Sequence, residues 1–64
     1  MTKNQRFYLA SAVTTLYHAL NHAMLSESMF NHKNESMGYN LAEQSQTELD
    51  EAELLFKNFV DCEQ

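Results

Sequence analysis

The sequence predicts an all-α fold, an antiparallel helical hairpin that pairs with a second copy into a homodimeric four-helix bundle. Three observations carry that expectation. The 64 residues contain no proline and one glycine, so the chain lacks the turn punctuation that a sandwich or barrel of short strands needs. Phe7–Leu25 places Ala19, Ala12, Ala23, Leu16, Leu9, Leu20, Val13, Met24, Tyr17 and Ala10 on one arc of roughly 180° when wound at about 100° per residue. A second segment repeats the pattern with an acidic opposite face.

The first helix is expected over about 5–33. Within its apolar arc, Leu9, Val13, Leu16, Leu20 and Ala23 follow the 4-3-4-3 spacing of a packing seam. The alanines permit close approach of another helix. Gly38 marks the break that follows, in a connector over about 34–39. The second helix is expected over about 40–61, with Asn40 and Glu43 as a capping pair. Its apolar face holds Leu41, Ala42, Ser45, Leu49, Ala52, Phe56, Phe59 and Val60, and its polar face Glu43, Asp50, Glu51, Lys57 and Asp61.

Two helices joined by a short connection form an antiparallel hairpin without a closed interior. An arc near 180° is wider than one partner helix covers, and a second copy of the chain is the simplest source of more helix. The expected oligomer interface is therefore Leu9, Val13, Leu16, Leu20, Ala23, Phe56 and Phe59. The alternative is a monomer in which the connector supplies a short third helix. Size and hairpin layout are similar to those of the small dimeric RNA-binding regulators of plasmid copy number, an analogy of architecture with no motif behind it.

Charge narrows the function classes. Four basic residues stand against nine acidic ones, for a net charge of −5. Residues 1–33 carry Lys3, Arg6 and Lys33 against Glu27, while 34–64 carry Lys57 against eight carboxylates. Such an acidic half repels phosphate, so direct nucleic-acid binding is not expected, and a basic protein surface is the natural partner. The uncharged stretch Phe7–Ser26 is long enough to cross a bilayer but carries Ser11, Thr14, Thr15, His18, Asn21 and His22, too polar for a lipid-exposed helix and lacking the clean apolar core of a signal peptide. With a single cysteine, Cys62, the expected compartment is cytoplasmic.

Catalytic patterns are missing. A phosphate cradle or an oxyanion hole needs glycine-bearing turns that the chain lacks, and Glu48, Asp50, Glu51 and Glu53 crowd one helix instead of facing each other across a cleft. The expectation is a non-enzymatic protein that binds another macromolecule, as an inhibitor, adaptor or regulator. A chain of this size and charge fits the accessory proteins with which phages and mobile elements block a host enzyme or defence system. The candidate partner-binding residues are Glu43, Asp50, Glu51, Leu54 and Asp61, an apolar anchor within an acidic rim. A second expectation, from another class, is a ligand or metal site in an oligomer. His18 and His22 stand at i,i+4, the spacing that puts two imidazoles on one metal, with Tyr17 and Asn21 beside them. A third and weaker one is an acidic mimic of DNA. No resident cofactor is expected.

Overall fold

A computed structural model describes residues 1–62. Two helices, α1 (Lys3–Asn31) and α2 (Glu35–Asp61), lie antiparallel along each other. No strand occurs among the described residues.

Helix α1 starts two residues earlier than its hydrophobic pattern implies, because Thr2 closes a capping box. The Gln5 amide donates to Thr2 Oγ1 at 3.1 Å, and the Thr2 amide donates to Gln5 Oε1 at 2.8 Å. The Gln5 side-chain amide, whose oxygen serves the cap, also donates from Nε2 to the Cys62 carbonyl at 3.1 Å.

The turn corrects the expected boundaries. The connector is not 34–39 but the three residues between Asn31 and Glu35, and Gly38 does not break the chain. Helix α1 closes in a Schellman motif. The Asn34 amide donates to the Met29 carbonyl at 2.8 Å and the Lys33 amide to the Phe30 carbonyl at 2.9 Å. Lys33, with φ of 64°, occupies the left-handed position that glycine usually fills. Asn34 at once caps α2, its side chain accepting from the Met37 amide at 3.3 Å. The Asn40–Glu43 pair therefore falls inside a running helix, and the connector forms no third helix.

Gly38 sits in the first turns of α2 for a packing reason. A Cβ there would meet the Phe30 ring at 2.9 Å, so the ring lies directly against the helix backbone and stacks edge-on with Tyr39 at 5.0 Å. Ser26 Oγ donates to the Gly38 carbonyl, and seven residues further along α2 Ser45 Oγ donates to the Ala19 carbonyl at 2.8 Å. Stepping seven residues back along α1 thus matches stepping seven forward along α2, which sets Ala12 opposite Ala52. Among the described residues these six, Ala12, Ala19, Ser26, Gly38, Ser45 and Ala52, are the buried ones. A hydroxyl that reaches the facing backbone unaided places the helix axes near the close end of the usual range of about 8–10 Å.

The seam is heptad-spaced on both helices. On α1 it runs Gln5, Tyr8, Ala12, Thr15, Ala19, His22, Ser26, Met29, and on α2 it runs Gly38, Leu41, Ser45, Glu48, Ala52, Leu55, Phe59, Cys62; every one of these is buried or half-buried. The hairpin therefore meets α2 on one edge of the apolar arc of α1, along its alanines, and not along its leucines. Among the described residues no large side chain is fully buried, and the buried apolar residues are Ala12, Ala19 and Ala52.

Candidate functional site

Because the small residues form the seam, the large apolar ones border it. On a heptad wheel, Leu9, Leu16 and Ala23 adjoin the alanine edge of α1, Val13 and Leu20 come next, and Ala10, Tyr17 and Met24 follow. Helix α2 presents Ala42, Leu49 and Phe56 on the same side. The result is an apolar trough along the rod, floored by small residues. Its central part is a groove of about 470 Å³ lined by Val13, Leu16, Tyr17, Ala19, Leu20, Ala23, Ser45 and Leu49. Val13 is 51% exposed and Leu20 55%.

Of the residues expected at an oligomer interface, Leu9, Val13, Leu16, Leu20 and Ala23 share this trough, with Phe56 half-buried on its α2 bank. Phe59 is placed differently, half-buried at the end of the seam between the two helices.

The opposite side of the hairpin is polar. His22 turns into the seam and meets Glu48 across it, Nδ1 to Oε1 at 2.7 Å, with both side chains less than a third exposed. Part of the uncharged face of α1 is therefore covered by the chain's own second helix, Thr15 and His22 being half-buried there. His18, Tyr17 and Asn21 are exposed and point elsewhere: Tyr17 borders the trough, whereas Asn21 and His18 sit progressively further round α1. A single hairpin does not gather these four side chains at one point. Among the described residues no three His, Cys, Asp or Glu side chains lie close enough to hold a metal ion. His32 bonds its own helix end, Nδ1 to the Ser28 carbonyl at 2.7 Å.

The acidic surface is the outer face of α2. Glu43, Asp50, Glu51 and Asp61 are all exposed, and Leu54 stands 60% exposed among them. A shallow depression beside Leu54 is formed by Asp50, Glu53, Phe56, Lys57 and Val60. The structure thus keeps the expected partner-binding residues on one helix and facing outward. Glu51 and Asp61 stand away from the trough, whereas Asp50 and Leu54 share this depression with Phe56 on the trough's α2 bank.

Two features of the arrangement escape a reading by hydrophobicity. One is the capping box of Thr2 and Gln5, signalled by their i,i+3 spacing, whose Gln5 side chain also bridges to Cys62. The other is the small-residue seam, signalled by Ala12, Ala19, Ser26 and Gly38, Ser45, Ala52, each set seven residues apart. Comparison with known proteins adds no relative: no family model, no curated protein and no solved structure matches the chain. No helix among the described residues is long and apolar enough to cross a membrane.

Proposed function

We propose that the protein is a non-enzymatic binding module that works as a homodimer, two hairpins forming a four-helix bundle through their apolar troughs, with the acidic outer face of α2 docking on a basic protein surface. The observation that carries this reading is the division of the apolar residues: alanines are buried inside the hairpin, while Val13, Leu16, Leu20 and Leu49 line an open trough. Three alanines are a small core even for 64 residues. A second trough laid on the first would supply the missing interior.

With the trough occupied, the surface left for a partner is the outside of α2. Glu43, Asp50, Glu51 and Asp61 give it a field that attracts cationic groups, and Leu54 supplies an apolar contact at its middle. Blocking or recruiting a basic protein by such a face describes an inhibitor, adaptor or regulator.

The test is charge reversal, Asp50→Lys with Glu51→Lys, both residues being exposed and remote from the seam. Helicity by circular dichroism and mass in native mass spectrometry should be unchanged. Affinity capture from the source cells should lose a salt-sensitive basic partner that the unaltered protein retains. A partner held equally by both forms would move the docking site off the acidic face, and a monomeric mass for the unaltered protein would remove the bundle.

A further inference from the structure

Two hairpins can be laid trough to trough in several ways, and the distribution of apolar and charged groups selects one. On α1 the apolar positions run from half-buried Leu9 and exposed Leu16 beside the seam, through Val13 and Leu20, to Tyr17 and Met24, which stand about 140° round the helix from the buried alanines. On α2 they stop sooner. Leu49 and Phe56 border the seam, but the next positions outward bring Gln46 and Glu53 over the middle of the helix, with exposed Tyr39 and Val60 only towards its two ends. In a bundle, the breadth of a helix's apolar arc tells how many neighbours it has. Helix α1 has room for its own α2 and two more helices, and α2 for only two in all.

Charge points the same way. Between Glu35 and Asp61 α2 holds seven carboxylates against Lys57, whereas α1 has no formal charge from Phe7 to Ser26. Contact between two α2 helices would bring like charges together, and contact between two α1 helices brings none. Length and the end charges of α1 then fix the direction. The Cα rod is 50 Å long and 9–13 Å across, and its apolar groove is lined by Leu16 and Tyr17, midway along Lys3–Asn31. Two antiparallel rods overlap along their full length when a two-fold axis crosses them at that midpoint. This direction lays exposed Arg6 of one α1 toward exposed Glu27 of the other, where a parallel pair would set like charges side by side.

Resting on the homodimer reading above, we infer that the two α1 helices meet antiparallel at the centre of the dimer, crossing the two-fold axis near Leu16, while the two α2 helices occupy the outer corners with their acidic faces turned apart. The amount of surface fits. The chain exposes 4955 Å², whereas a compact monomer of 7.4 kDa exposes about 4,200 Å². The surplus is close to the roughly 800 Å² that each partner buries in an ordinary stable interface.

Disulfide mapping in a Cys62→Ser background tests the geometry separately from the stoichiometry. Native mass spectrometry of Cys62→Ser comes first and should give a dimer. Leu16→Cys, or Tyr17→Cys if the first variant loses helicity, should then oxidise to a covalent dimer with its own copy. Leu9→Cys and Ala23→Cys lie seven residues either side of Leu16, so like copies would stand about 20 Å apart, beyond the roughly 7 Å limit for a disulfide. Each alone should stay uncrosslinked, and a mixture of the two should crosslink. A dimer in which Leu9→Cys and Ala23→Cys each crosslink to themselves would mean parallel α1 helices. A dimer crosslinked through Leu49→Cys or Glu53→Cys alone would put α2 at the centre. Either result overturns this arrangement while leaving the homodimer standing, and a monomer overturns both.

Discussion

Lys33 carries backbone strain that its side chain does nothing to relieve. At φ of 64° the Cβ crowds the following carbonyl, a cost of about 1 kcal/mol for a residue other than glycine. The two Schellman hydrogen bonds and the immediate restart of helix at Glu35 hold the residue there. Lys33→Gly removes the crowding while giving up some chain stiffness, so it should raise stability by up to about 1 kcal/mol, read as a rise of a few degrees in the melting temperature. An unchanged or lower melting temperature would show that the left-handed position is not strained. His22 and Glu48 supply the other residue-scale test. Their contact is short but keeps some solvent access on both sides, which limits its worth. A double-mutant cycle with His22→Ala and Glu48→Ala at fixed pH should return a coupling of about 0.5–1 kcal/mol by urea denaturation. A coupling near zero would make the pair incidental to the fold.

The two helices owe their pairing to small residues, and this decides what substitutions do. In an ordinary core, Ala→Leu adds apolar surface. Here Ala19 faces Ser45 at backbone contact distance, so a leucine at 19 crowds the facing helix and blocks the Ser45 hydroxyl from the Ala19 carbonyl. Ala19→Leu should destabilise the hairpin by about 1–3 kcal/mol despite its greater hydrophobicity. Val13→Leu, on the trough, should cost far less; equal losses at the two sites in urea titrations would deny the seam its special closeness. The same contrast explains what the sequence reveals. Helices and hairpin were legible from Leu9, Val13, Leu16 and Leu20, because their period is strong. Which edge of the arc meets α2 was not, because hydrophobicity ranks leucine above alanine and places Gln5, Thr15, His22 and Glu48 outside any core. Tight backbone approach and polar pairing outweighed apolar size. Gly38 misled for a related reason: read as a helix breaker, it is the residue whose missing side chain admits the Phe30 ring.

For the molecule as a whole, shape is the telling quantity. A radius of gyration of 14.6 Å exceeds the roughly 11 Å of a compact chain of this length. A rod with an open apolar side should gain its cooperativity from association. The urea or thermal midpoint is accordingly expected to rise with protein concentration over a 100-fold range. Leu20→Glu, which sets a carboxylate into the trough of each copy, should abolish that dependence and yield a monomer at tens of micromolar. A midpoint independent of concentration in the unaltered protein would mean that the hairpin is stable alone. Glu51 and Asp61 lie away from the trough, while Asp50 and Leu54 adjoin its α2 bank through Phe56.

The phase of the seam across the turn limits how else the chain can be arranged. Ser26 and Gly38 face each other, and they are twelve positions apart. Were Lys33 to relax and the two helices to run together as one, those twelve positions would carry the stripe of small residues roughly 120–150° round the helix. One half of the stripe would then lie on nearly the opposite side from the other. A straightened chain could not zip along its whole length to a second straightened chain, so an exchange of helices through one continuous helix is disfavoured by the phase of the seam.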